Sequence, residues 1–375
     1  MKRTFIFIIV ALIGGFILFT SCQQTAVTSA KLYLQQANYD AAIEQCKLAI
    51  EEMPNNAEAY FVLGQAYGKK KMYREMNEAF KNSLEFSQKH TPEIEQHRLK
   101  YWIDLFNSGV ASIKQDQLND AVEKFNLAIE IIPDRVDAYK NLAFAYTQKK
   151  DDPSAIQTYI KAIEIDSTDL EIKNYLGNLY YQNKEYEKAI KVLNEVTAKA
   201  DPHSKEFSEA LHSIAISYDL MGQSDKAIEA YENALKVAPE DVDLMFNMGR
   251  LYFMQENYEK AIESFQKVLE KDPDDFDSNL NIGNVYINIA DSLAKEAKAT
   301  DDKGKLILSE TEIAQKESLS KGNFEKAIPY LEKATQIKSD NANAWTLLGI
   351  VYVRAGMAEK GKEAFDKADE LKVTE

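Results

Sequence analysis

Two cysteines, four histidines and two tryptophans are all that 375 residues contain of these types, and each scarcity removes a class of explanation. Two cysteines cannot staple a chain of this length, so stability has to come from packing. The histidines, His90, His97, His203 and His212, form neither a His-Glu-x-x-His pattern nor a set with paired cysteines, so no metal centre is expected. His90 and His97 stand seven apart and would share a helical face only if their helix began early enough. There is no glycine-rich phosphate loop, no Gly-x-Ser-x-Gly elbow and no carboxylate pair set apart from the rest, so neither a reaction nor a cofactor is indicated. Basic residues are also in deficit: 45 Lys and Arg against 60 Asp and Glu leave a net charge of −15. An acidic surface repels phosphate backbones, which argues against nucleic acid as a partner. Strand-like alternation of useful length is missing too.

What the chain does have is a period. The positions Ala42, Met76, Ala121, Ala155, Ala189, Ala227, Ala261, Ala327 and Gly361 are separated by 34, 45, 34, 34, 38, 34, 66 and 34 residues. The departures are additions of 11, 4 and 32 to the same 34, the signature of a repeat array with three local insertions. Leu142 and Tyr146 lie four apart, as do Ala155 and Tyr159, so each repeat predicts two amphipathic helices. Small residues at Ala155 and Ala162 let helix axes approach closely while aromatics fill the space beside them. Cys46 takes the place that Tyr159, Tyr231 and Phe265 hold in other units, which predicts a buried structural thiol.

The residues around each landmark resemble the tetratricopeptide repeat: Met248, Gly249, Tyr252, Tyr258, Ala261, Phe265, Val268 and Pro273 in one unit, Leu176, Gly177, Tyr180, Tyr186 and Ala189 in another, and Trp345, Leu348, Gly349, Tyr352 and Phe365 near the end. The resemblance implies an all-α, right-handed superhelical solenoid of about nine tetratricopeptide helix pairs, spanning residues 22–375. Pro54, Pro133, Pro239 and Pro273 follow second helices, and Asn56, Asp134, Asp241 and Asp275 are the expected caps of the helices that come next. Pro153 suits the first turn of a helix. The run Asp272, Asp274, Asp275 and Asp277 lacks the central glycine and the ligand spacing of a calcium loop and reads as capping and solvated charge.

Ahead of the repeats, Lys2 and Arg3 precede an uncharged apolar run from Phe5 to Phe19, closed by Thr20, Ser21 and Cys22. The segment 1–21 resembles a bacterial lipoprotein signal peptide, which implies lipidation of Cys22. Phe19 stands where leucine is usual. An uncleaved membrane anchor is the other reading, and both place the repeats outside the cytoplasmic membrane, because Lys2 and Arg3 stay inside. Loss of those two cations with the signal deepens the charge from −15 to −17. Gln23 and Gln24 lack the aspartate associated with inner-membrane retention, which favours the outer membrane.

In such an array the first helix of each pair lines the concave side, where ligands of the resembled family lie. Carried over unit by unit, the groove comprises Phe61 and Gln65, Phe106 and Val110, Lys140 and Phe144, then Asn174, Asn178 and Tyr181. It continues with His212 and Ile216, Phe246, Arg250 and Phe253, and Asn284 and Asn288. Aromatic side chains beside amides suit an extended peptide. The carboxylate clamp of chaperone-binding relatives needs a lysine followed four residues later by asparagine, but Lys140 is followed by Phe144. Replacing both Phe246 and Arg250 with alanine is expected to weaken partner capture with little loss of stability.

The 32 extra residues form a helical insertion, 290–321, with Ala290, Leu293, Ala294 and Ala297 on one stripe, a turn at Asp301 to Gly304, and a second helical stretch from Leu306 to Leu319. It predicts an elongated helical hairpin, serving as a docking arm or a spacer. Gly322, Asn323 and Pro329 predict a break or kink after it. These readings converge on a membrane-anchored protein–protein interaction scaffold of the bacterial cell envelope, facing the periplasm and binding other proteins or peptides. The alternative is a ligand-presenting lipoprotein subunit of a transport system, and an enzyme is not expected.

Overall fold

The structure, a computed structural model, describes residues 25–301 and 306–372. The apolar run, Cys22 and the turn residues Asp302 to Gly304 lie outside the described residues. Among the described residues the chain is helical, with a single isolated bridge between Thr300 and Leu306. Two units are distinguished, one ending at Leu179 and the other starting at Tyr180, a division that falls inside one helix.

In the first unit, α1 (25–35) pairs with α2 (Tyr39–Glu52), α3 (Ala57–Lys69) with α4 (Tyr73–Phe86), α5 (Thr91–Lys114) with α6 (Leu118–Ile131), and α7 (Val136–Gln148) with α8 (Asp152–Ile165). The division crosses α9 (Leu170–Gln182), which is followed by α10 (Tyr186–Thr197). The second unit continues with α11 (Lys205–Leu220) and α12 (Ser224–Val237), α13 (Val242–Met254) and α14 (Tyr258–Lys271), α15 (Phe276–Ala297) and α16 (Glu310–Ile337), and α17 (Ala342–Ala355) with α18 (Ala358–Lys372). Within each unit the second helix of one pair packs on the first helix of the next. Every one of the nine period landmarks lies buried on a second helix.

The residue four positions after each landmark fills the space between the helices of its pair. Phe80, Phe125, Tyr159, Leu193, Tyr231, Phe265 and Leu331 are buried in this way, as is Cys46, where burial pushes the thiol up to about 12. The facing first helix has to be small at that level. Gly64 faces Phe80, and an added Cβ would stand 2.5 Å from the ring.

The turn inside each pair is built the same way eight times. At α3, Lys71 N–H donates to Gly68 O and Met72 N–H to Tyr67 O, satisfying the last carbonyls of the helix. This geometry needs one left-handed residue, supplied by Ala37, Lys71, Asp116, Lys150, Lys184, Gly222, Glu256 and Gly356. Each stands five residues before its landmark, so the turn keeps the period of the core.

The ninth such position is Gly322, before Ala327, and there the helix does not turn. The expected break at Gly322, Asn323 and Pro329 is absent, because α16 runs unbroken from Glu310 to Ile337. The insertion has moved the turn outward. α15 runs on to Ala297, Ile307 N–H donates to Ala299 O, and Ser309 with Glu312 forms a reciprocal cap at the start of α16. The second helical stretch thus starts at Glu310 and not at Leu306. Pro329 and Glu325, the residue four before it, are both exposed, so the carbonyl that loses its amide partner to the proline lies on the solvent side. Ser320 donates to Ala290 O at 2.8 Å across the arm, and Lys316 pairs with Glu296.

Capping follows the expected residues with one correction. Asn56, Asp241 and Asp275 accept from Ala59, Leu244 and Ser278 N–H. Asp134 is not the cap of α7: the equivalent position, two after the proline, is Arg135, whose guanidinium lies over the Trp102 ring at 4.7 Å and makes no side-chain cap. The other 11-residue insertion extends α5 by about three turns at its start, after a 3-10 turn at Gln88–His90.

Candidate partner-binding faces

In each unit the first helices form one face and carry the residues expected to line a groove. Phe61 and Asn174 are buried, which leaves little of either to meet a partner. Phe61 stacks on His90 with centroids 4.2 Å apart and planes 3° apart. Phe144 and Asn288 are exposed, and the other candidates are half-buried. Phe106 packs edge-on against Phe125, while Phe246 is tilted against Phe265 and Phe253 against Tyr258. These aromatics therefore serve the core of their own pairs while showing one edge to the first-helix face.

The long start of α5 brings together what sequence spacing had left apart. His90 precedes the helix and His97 lies within it, yet both contact α3. His90 Nε2 is 2.8 Å from Glu58 Oε2, and Gln65 Nε2 donates to His97 Nε2 at 3.0 Å. Burial, then the nearby Lys100 and Lys69, hold His97 below the usual histidine range. Burial pushes the Glu58 carboxyl up, but bonds from Lys31, His90 and Lys89 outweigh it and hold the group down at about 2. Glu58 thereby ties α1 and the inserted 3-10 turn to α3.

Both cations among the groove candidates are engaged internally. Lys140 on α7 pairs with Glu171 on α9, and Arg250 on α13 pairs with Asp219 on α11. Arg250 also donates to Met254 Sδ at 3.4 Å. The Asp219 carboxylate is only 12% exposed. Replacing Arg250 with alanine therefore strands a nearly buried charge, so the expectation of little stability loss does not hold for that variant.

The opposite, second-helix side carries a feature that the sequence reading missed. Three equivalent recesses of about 420, 420 and 480 Å³ open beside Tyr146 and Thr158, Tyr252 and Ser264, and Tyr352 and Ala364. At the same level in the pair of α15 and α16, Tyr330 lies beside Tyr286 with ring centroids 6.1 Å apart and planes tilted by 31°. In the second unit a lysine one residue before each landmark lies over the tyrosine of its pair. Lys188, Lys226, Lys260, Lys326 and Lys360 stand 5.0 to 5.9 Å from the rings of Tyr180, Tyr218, Tyr252, Tyr286 and Tyr352. In four of the five pairs the signal was legible as a tyrosine nine before the landmark and a lysine one before it; in the fifth the 32 inserted residues carry Tyr286 to 41 before Ala327.

Among the described residues no helix is long and apolar enough to cross a membrane. Models described as tetratricopeptide repeat match residues 27–71 and 213–276, and, for a second model, 57–90, 171–198 and 342–372. A further model, described as TPR repeat, matches 145–184 and 317–356. An Hsp70-Hsp90 organizing protein of Triticum aestivum is 22% identical over 241 residues, covering 57% of this chain and 41% of that protein. The type IV pilus assembly protein PilF of Pseudomonas aeruginosa is 25% identical over 150 residues, 40% of this chain and 59% of that one. The chain thus spans less than two thirds of these relatives. A solved tetratricopeptide repeat protein from Parabacteroides merdae superposes with a TM-score of 0.46 at 17% identity, over 72% of this chain and 93% of its own. With repeat models matching more than half of its length in register with the observed helix pairs, the chain belongs to the tetratricopeptide repeat family.

Proposed function

We propose that this protein is a scaffold of the bacterial cell envelope, held to a membrane by lipid on Cys22, that binds partner proteins or peptides on the first-helix faces of its two units. The observation that carries the reading is the succession of half-buried and exposed aromatics and amides on those faces, from Gln65 to Phe144 in one unit and from Tyr181 to Asn288 in the other. Aromatic edges give anchor area and side-chain amides give main-chain partners, the combination an extended peptide uses. The projecting arm of α15 and α16 offers a second contact region beyond the stack.

Anchoring and binding are separately testable. Metabolic labelling with a fatty acid should mark the wild type and spare Cys22→Ser; label persisting in the variant removes the anchor from the proposal. Photo-crosslinkers at Phe144 and Met254 in living cells should capture the same envelope assembly reproducibly, whereas one at Lys267, on the opposite face, should not. Equal capture from all three positions would move the binding surface away from the first helices.

A further inference from the structure

Three adjacent first helices of the second unit, α11, α13 and α15, bring different chemistry to one face. Ile216 and Leu220 follow each other by one turn on α11, as do Val242, Phe246, Arg250 and Met254 on α13. Leu220 and Met254 are equivalent positions one repeat apart, and they are 55% and 64% exposed. Two large apolar side chains so exposed at successive repeats form an unusual surface for a chain this acidic.

Arg250 stands between them. One of its terminal nitrogens meets the Asp219 carboxylate and the other the Met254 sulfur. A guanidinium recognises a carboxylate best when its donors are free to engage both oxygens together. Here the two terminal donors are divided between Asp219 and Met254, and the Asp219 side chain, largely sheltered from water, screens the cation at close range. The one arginine of this face therefore presents no net charge to a ligand, while the net charge of −15 repels an acidic one.

We infer that this face selects apolar, uncharged peptide segments, and that Asp219 is the residue that sets the selectivity by closing Arg250 to acidic partners. The inference rests on the proposed peptide-binding role and adds its partner class. Apolar side chains of the segment would lie over Leu220, Met254 and the exposed edge of Phe246, and the amides of Asn284 and Asn288 on α15 would meet its main chain.

The test uses the full chain and a displayed library of random 12-residue peptides. Peptides retained by the wild type should be enriched in leucine, methionine and aromatics, with aspartate and glutamate depleted at least threefold against the input. Asp219→Asn keeps a hydrogen-bond partner for Arg250 but removes the charge, and it should relax that depletion while the repulsion from the rest of the acidic chain remains. Leu220→Gln with Met254→Gln changes two mostly exposed side chains, and the new amide oxygen at 254 can accept from Arg250 in place of the sulfur, so the variant should lose the enrichment while keeping the wild-type melting curve. Retention of acidic peptides by the wild type, or an identical pool from Asp219→Asn, overturns the selectivity while leaving the scaffold reading intact. Enrichment that survives the double glutamine variant places the site elsewhere and overturns the inference. No enrichment by the wild type defeats both.

Discussion

A methyl group added at Gly64 would sit 2.5 Å from Phe80, inside the packed pair of α3 and α4, whereas one added at Gly322 on α16 meets nothing within 4 Å. The same substitution should therefore have opposite signs at the two sites. Gly64→Ala is expected to cost about 1–3 kcal/mol through overpacking. Gly322→Ala, in a helix interior, should stabilise by about 0.8–1 kcal/mol. Thermal melts of both variants check this, and a destabilised Gly322→Ala would mean that the helix does turn there.

Ala155 is fully buried where second helix meets first. Ala155→Leu should cost about 1–3 kcal/mol. An unchanged melting curve would contradict the register of the repeats.

Six of the eight left-handed turn residues are not glycine, Lys71 and Glu256 among them. A side chain in that conformation costs about 1–2 kcal/mol, offset in part by the greater freedom glycine has when unfolded. Lys71→Gly and Glu256→Gly are expected to raise the urea midpoint, each by the equivalent of roughly 0.5–1 kcal/mol. A lowered midpoint in both would show that the lysine and glutamate side chains do more than fill the position.

Acid should weaken the first unit in two stages. His97 is held below the usual histidine value, so the fold favours its neutral form. That contribution is complete above about pH 6.5 and is lost as pH falls through the lower folded value. Glu58, held at about 2, contributes above the usual glutamate range near about 4.3 and loses its contribution as pH falls towards 2. Urea midpoints between pH 8 and pH 3 should trace both stages, and His97→Gln should remove the earlier one. A wild-type profile flat down to pH 4.5 would contradict the assignment to His97.

Arg250→Ala strands the Asp219 carboxylate and should cost about 1–3 kcal/mol. The double variant Arg250→Ala with Asp219→Ala should be less destabilised than the sum of the single changes. Additive losses would mean that the pair contributes nothing as a pair.

The period announced most of this architecture before any coordinates. The landmarks, alanine or glycine at every position but Met76, mark where helices touch, and the residue four later is the one that fills each pair. Three things stayed hidden for physical reasons. Gly322, Asn323 and Pro329 looked like a turn because the same types turn the chain elsewhere, and only the relocated turn at the arm's end explains why they do not. Asp134 looked like a cap because Arg135, which holds the position, has no acceptor. Arg250 looked like a free binding group, since its partner Asp219 lies 31 residues away on another helix. Side-chain pairing across repeats leaves no mark in local sequence.

The relocated turn also bears on how such a chain can change. Ala327 and Leu331 stay buried with the arm in place, so lengthening one pair outward leaves the spacing of its neighbours untouched. The arm behaves as a separately adjustable part: removing or adding whole helical turns beyond Ala290 and Ser320 should vary its reach while the array beneath it keeps its geometry.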